Sequence, residues 1–387
     1  MPAIDLSAVP LVDNHCHGFF RDQEVGNLAD WRGHFTESRE AATRTEHVAT
    51  TLYYRRLVRE LAGFLGCGPD EEAVLAARRA HGGRAMIAAL IRAANVETLL
   101  IDRGYPPPAL VLDDTETKEA TGCRVAPMLR LEVLMQDLIA AHATLEAVEA
   151  ALRVALADIR AAGYVALKSI AAYRGGLAIH RWEPEAVRAA FAGARAEALA
   201  AGSVRLGHKP LLDTLLHVAF AAAARQEVPV QFHTGYGDTD ADLLLANPLH
   251  LRPVLEDPAY RGMPVVALHE AYPYTREGAY LAAVYDRVYL DLSYGIPFLG
   301  SGDMLAFTRA AVGVAPWSKL LYSSDGVGLP EIHWASALHG RRVLGAALGE
   351  LVADGELSAG EAEAVGVAIL RENAIRLYGL AGKSSPA

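Results

Sequence analysis

Eight short apolar runs, each followed by a longer alanine-rich stretch of helical periodicity, constrain this chain more than any other feature of its sequence. The runs are Pro10–His17, Glu97–Asp102, Val125–Arg130, Tyr164–Ser169, Val228–His233, Pro264–His269, Val288–Asp291 and Leu320–Ser324. Between them, segments such as Leu145–Ala161 and Glu185–Ala201 place Ala, Leu, Glu and Arg at i, i+3, i+4 spacing. Strands that are apolar nearly throughout and alternate with helices belong to a parallel sheet covered on both faces. Eight such units predict a (β/α)8 TIM barrel. No GxGxxG turn follows the first run, which removes the main sign of a dinucleotide-binding sheet.

Two departures from a minimal barrel are expected. About 80 residues separate the first two runs, too many for one loop, and Thr43–Phe64 and Pro69–Ala80 read as helices of an insertion spanning about residues 20–95. Within it, Leu52, Tyr53, Leu57, Leu61 and Phe64 fall on one helical face, which must be buried against the barrel or against a second copy. Because this segment follows the first strand, it is expected both to roof the active site and to contribute to a homodimer. At the other end, His339–Glu350 and Ser358–Tyr378 read as closing helices. The expected organisation is one domain over residues 1–380, with a flexible tail over 381–387.

Charge and composition narrow the partners. Lys+Arg 36 against Asp+Glu 46 gives a net −10, which disfavours nucleic acid and anionic membrane surfaces. Cys16, Cys67 and Cys123 are odd in number and far apart, forming neither a disulfide framework nor a zinc knuckle, and fit a reducing compartment. The opening MPAIDLSAVP has no basic segment followed by an apolar one, so no secretory signal is expected, and no apolar run approaches about 18 residues. A cytoplasmic protein acting on a small molecule is the expectation.

The strand ends carry the chemistry. The first run closes on His15-Cys16-His17, and residues two apart in a strand face the same way. The fourth carries Lys168, the fifth and sixth end at His233 and His269, and the eighth leads into Asp325. In a (β/α)8 barrel the C-terminal strand ends converge on one site, so these six side chains would meet there. Imidazoles and a carboxylate are a ligand set for Zn²⁺ or another borderline divalent ion. Each has a plainer reading alone: a strand-terminal histidine is often a hydrogen-bonded structural residue, and a terminal aspartate often caps the next helix. Their joint occurrence at five strand ends favours the metal.

This pattern resembles the amidohydrolase superfamily of metal-dependent barrels. More narrowly, Leu167-Lys168-Ser169-Ile170-Ala171-Ala172-Tyr173-Arg174-Gly175-Gly176-Leu177, Phe232-His233-Thr234-Gly235-Tyr236-Gly237-Asp238, Tyr272-Pro273-Tyr274-Thr275-Arg276-Glu277 and Glu372-Asn373-Ala374-Ile375-Arg376-Leu377-Tyr378 resemble its FluG- and nodulin-type branch. The resemblance implies one or two divalent ions, Zn²⁺ first and Mn²⁺ next, held by His15, His17, His233, His269 and Asp325. It implies that Lys168 either is carboxylated and bridges two ions or stays a free ammonium that binds an anionic substrate group. It makes Asp325 the acid/base and His269 a second catalytic group.

The implied activity is hydrolysis of a C–N amide bond in a small carboxylate-bearing molecule, a γ-glutamyl or other amino-acid amide among the choices. A decarboxylase of a small aromatic acid and a non-catalytic metal-binding barrel are the rivals. A metal ion lowers the pKa of bound water toward about 7, and Asp325 beside it can take and return the proton. Tyr173, Arg174, Glu270 and Arg276 are the candidates for substrate contact. Arg174 reads equally, and Arg276 more readily, as a rim salt bridge, and Glu270 as a helix cap or a partner to a liganding histidine. Cys16, facing away from its neighbouring histidines, reads as barrel packing.

Overall fold

A computed structural model describes residues 3–381, so the expected tail lies outside the described residues but for its first position. Strands β1 (Leu11–His17), β2 (Val96–Asp102), β3 (Arg124–Arg130), β4 (Ala166–Ser169), β5 (Val230–Phe232), β6 (Val265–Ala267), β7 (Val288–Ser293) and β8 (Leu320–Ser323) form one parallel sheet in chain order. The ring closes between β8 and β1 without a regular ladder. Asp325 N donates to His15 O at 3.1 Å and His17 N to Gly326 O at 2.8 Å. The architecture is the expected (β/α)8 barrel.

The lower barrel is filled by an apolar layer including Val12, Leu100, Met128, Val266 and Leu321. Tyr378, from the closing helix Asn373–Tyr378, packs on this layer and reaches inward to donate its hydroxyl to Asn14 Oδ1 at 2.9 Å. With that end plugged by apolar side chains, the polar strand ends gather at the other.

All eight expected strands are present, but β5 and β6 stop short of their histidines. His269, Glu270 and Ala271 take φ of 62°, 55° and 50°, which no strand can continue, so His269 opens a tight turn. The Leu145 helix ends at Ala155, and the closing segment Ser358–Tyr378 divides into Ala359–Val367, a wider turn Ala368–Glu372 and Asn373–Tyr378.

The insertion holds four α-helices, Leu28–Gly33, Leu52–Leu65, Glu71–His81 and Gly83–Ala93, the first and last of which were not expected. Thr51, extended at ψ 144°, breaks the helix expected over Thr43–Phe64, and its hydroxyl caps the Leu52–Leu65 helix by accepting from Tyr54 N. The apolar stripe is spent within the chain itself, on the rest of the insertion and on the Pro330–Ala353 helix. Tyr53, Leu57 and Leu61 are buried, Phe64 lies on Trp334 at 5.5 Å, and Leu52 points outward at 71% exposure. The stripe therefore gives no reason to expect a second copy on this face. Nor does this helix line the cavity described below; the preceding segment, from Gly33 to Arg44, does. Among the described residues, no helix is long and apolar enough to cross a membrane.

Candidate functional site

A bulge in β1 sets the geometry. Asp13 pairs with Leu99 and Cys16 with Ile101, so one strand spends one residue more than its neighbour over the same distance. Asn14 and His15 both reach partners across the barrel: Asn14 Nδ2 donates to Asp291 Oδ1 at 2.9 Å, and His15 Nδ1 lies 2.8 Å from Gln231 Oε1. Cys16 faces the surrounding helices among Phe19, Ile87 and Ile91, its Sγ 3.4 Å from Leu100 O. Burial pushes that thiol well above its usual range, consistent with packing.

The tautomers follow from the acceptors. Gln231 spends its amide N–H groups on Asn14 O and the Tyr378 hydroxyl, leaving Oε1 to accept from His15 Nδ1–H. The Tyr105 carbonyl, 2.9 Å away, fixes His17 in the same way, and the Tyr236 carbonyl accepts from His233 Nε2–H at 2.6 Å. A carbonyl can only accept, so His15 and His17 carry lone pairs on Nε2 and His233 carries one on Nδ1. Those of His15 and His17 face the Asp325 carboxylate at 3.5 and 3.6 Å, and His269 Nδ1, buried without a hydrogen-bond partner, lies 3.3 Å from it.

Lone pairs directed at an anion at these distances repel it unless a cation sits among them. The donor set fits a divalent ion. Burial also holds His15 and His233 well below the usual imidazole range and His269 down at about 3. Burial works to raise Asp325, but positive charge at the His269, His17 and His15 positions outweighs it and holds the carboxyl well below its usual range; with His15 and His269 neutral, a bound cation would supply that charge. At neutral pH the site therefore offers neutral imidazoles at His15, His233 and His269 beside an ionised carboxylate. Asp325 itself sits at φ 50°, a left-handed conformation held from both sides, since Ser324 N and Oγ donate to Asp13 and Gly326 N donates to Ser324 Oγ.

Lys168, buried at the end of β4, places Nζ 3.3 Å from His15 Nε2. Burial, only partly offset by Asp102, lowers its ammonium to about 8.

The cavity above these groups measures about 510 Å³. All six expected metal-site residues line it, as do Tyr173, whose ring lies 4.3 Å from that of His233, and Arg174. The other two expected substrate residues lie elsewhere. Arg276 is exposed on the Thr275–Val284 helix, and Glu270 is buried behind His269 within the positive-φ turn.

Sequence reasoning missed several lining groups. Arg130, at the end of β3, makes a forked pair with the buried Asp102, and the Tyr105 ring lies within 5.7 Å of its guanidinium. Their strand-end positions were the available signal. From the insertion come Glu37, Arg39 and Arg44; Arg39 pairs with Asp238 and Asp240 across the cavity mouth. Nothing in the composition of that segment marks it as pocket wall.

A family model described as amidohydrolase matches residues 119–380. The chain is 29% identical over 400 residues to the protein fluG of Emericella nidulans, covering 96% of this chain and 46% of that one, so it spans about half the length of this relative. Among solved structures, a protein of Lactobacillus casei provisionally assigned as a metal-dependent hydrolase superposes with a TM-score of 0.86 at 30% identity, covering 98% of each chain. A uronate isomerase of Thermotoga maritima shares the fold at a TM-score of 0.68 and 14% identity, over 96% and 95% of the two chains. Family model, relative and metal-site geometry agree: the chain belongs to the amidohydrolase superfamily, in its FluG-like branch.

Proposed function

We propose that this barrel is a metal-dependent hydrolase that cleaves the C–N bond of a small carboxylate-bearing amide. The observation that carries the reading is the pair of imidazole lone pairs of His15 and His17 facing the Asp325 carboxylate at 3.5 and 3.6 Å, with the unpartnered His269 Nδ1 3.3 Å from it. His15, His17, His233, His269 and Asp325 would hold the ion, Zn²⁺ first and Mn²⁺ next. Such an ion, when bound, acidifies water and polarises a carbonyl oxygen.

The chain's own groups supply the rest. Asp325, ionised at neutral pH, accepts the proton of the attacking water and returns it to the departing nitrogen. The Tyr236 hydroxyl, 3.3 Å from Asp325 Oδ2, orients the carboxylate for that exchange. Gln231 and the Tyr105 carbonyl keep the His15 and His17 rings in one tautomer. Arg174, whose buried Nε has no partner, is placed to take a substrate carboxylate as a forked pair.

Lys168 supports a second ion in this reading. Carboxylation by CO₂ needs a neutral amine, and a group titrating near 8 is roughly a tenth neutral at pH 7. A carboxylated Lys168 would bridge two ions; a free ammonium would instead meet the substrate's anionic group.

A panel of amino-acid amides and γ-glutamyl amides, assayed with the metal-loaded protein for amine or ammonia, tests the proposal. Amine release that stops on chelation is the expected result. Release of CO₂ from aromatic acids, with no amine from any amide, would replace it with the decarboxylase reading. Full metal loading with neither product would leave a binding barrel.

A further inference from the structure

The insertion, which lies outside the residues matched by the family model, carries Glu37 into the catalytic cavity. Glu37 shares that lining with Asp325, Asp238, Tyr173 and Tyr236, and burial first, then the charges of Asp325 and Asp238, raise its carboxyl. Among the described residues it makes no ion pair and no side-chain hydrogen bond. The nearby guanidinium of Arg39 is engaged by Asp238 and Asp240.

The basic residues of the cavity divide in the same way. Arg130 is engaged by Asp102 and Arg205 by Asp240 at 3.2 Å, whereas Arg174 has a buried Nε with no partner and only a 3.5 Å contact from Nη1 to Tyr173 O. One carboxylate, Glu37, thus shares a cavity of about 510 Å³ with two guanidiniums that make no ion pair: Arg174, and Arg44, whose Nε is held by Ser38 O at 3.3 Å. Both Glu37 and Arg174 are half-buried, so a ligand of matching charge meets groups that water solvates only in part and that no side chain of the protein already pairs. Tyr173 and Tyr236 add aromatic faces that favour a cation.

We infer that the cavity recognises an amino-acid-type zwitterion, with Glu37 taking the substrate's ammonium group and Arg174 its carboxylate. The inference deepens the proposed hydrolase reading by naming a substrate class. It requires a free ammonium as well as the carboxylate, and it gives the insertion the part of specificity element.

Matched pairs that differ only in the α-ammonium group test this: L-glutamine against glutaramate, and L-asparagine against succinamate, titrated calorimetrically into the metal-loaded protein while ammonia is followed. At least one ammonium-bearing member should bind about tenfold or more tighter than its partner, because the deamino compound leaves Glu37 without its cation. Glu37→Gln should shrink that ratio below about threefold at unchanged metal content, and Arg174→Gln should weaken both members alike. Equal binding of both members, no binding of either pair to the loaded wild type, or an undiminished ratio in Glu37→Gln would overturn the inference. The two readings separate cleanly. A Glu37-dependent ammonium preference with no amide hydrolysed leaves the inference standing and removes the hydrolase, whereas hydrolysis without any such preference does the reverse.

Discussion

Replacing Gln231 by Met tests whether the metal site depends on a tautomer set from behind it. Gln231 Oε1 accepts from His15 Nδ1 at 2.8 Å, and its amide donates to Asn14 O at 2.7 Å and to the Tyr378 hydroxyl at 2.8 Å. Methionine fills the space but accepts and donates almost nothing. His15 Nδ1–H and Asn14 O lose their partners, while Tyr378 still donates to Asn14 Oδ1. Two orphaned buried groups at about 1–3 kcal/mol each cost roughly 2–6 kcal/mol of stability. With an unfolding entropy of about 2.1 cal/mol/K per residue over 387 residues, the metal-free Tm should fall by about 3–7 °C. Loss of the acceptor also frees His15 to swap tautomers, so affinity for Zn²⁺ should drop about 10–100-fold. Competition against a chromophoric chelator measures that directly. Gln231→Glu keeps the acceptor and should hold affinity near wild type or above it. A folded Gln231→Met that binds Zn²⁺ within twofold of wild type would refute the tautomer argument.

Other outcomes follow from the same geometry. Asp325→Asn keeps the shape and cannot accept a proton, so kcat on any amide that turns over should fall about 10²–10⁴-fold, with metal content reduced less than activity; near-wild-type turnover would assign the base elsewhere. Arg78 and Glu331 form a buried ion pair tying the insertion to the Pro330–Ala353 helix, so Arg78→Met should cost about 3–5 kcal/mol in urea unfolding, and a cost under 1 kcal/mol would argue that the contact is dispensable. Glu37 is raised to about 7, first by burial and then by Asp325, so its contribution is fully present below its unfolded value of 4.5 and is lost as pH rises through about 7. Glu37→Gln should accordingly raise Tm relative to wild type at pH 8 and not at pH 4.5; the same offset at both pH values would contradict the burial of that carboxylate. Lys168→Ala should reduce a two-metal site to one ion per chain, and unchanged stoichiometry would assign the amine to substrate binding instead.

Much of the site was legible because its chemistry lies at strand ends with unusual residue types. His15 and His17 stand out by two-residue spacing, and His233, His269 and Asp325 by ending apolar runs that alternate with helices. Gln231 obeys the same spacing, two residues before His233, but a glutamine in a strand carries no signal until its partner across the barrel is known. The β1 bulge could not be read, because it depends on the register with β2 rather than on β1 itself. Glu37 and Arg39 sit in a segment with little regular structure whose position is fixed by pairs to Asp238 and Asp240, about 200 residues away in sequence. Arg276 went astray for the opposite reason. Its proximity to His269 in sequence suggested the rim, but the turn after His269 carries the chain outward before the helix begins.

The most direct test of the account is elemental analysis of the protein purified without chelator, set beside His15→Ala and His233→Ala. The account predicts at least one equivalent of Zn²⁺ or Mn²⁺ per wild-type chain, most of it lost from each variant while the far-ultraviolet circular dichroism stays that of a folded barrel. Wild-type protein that stays metal-free after incubation with both ions, or folded variants that retain a full equivalent, would contradict it.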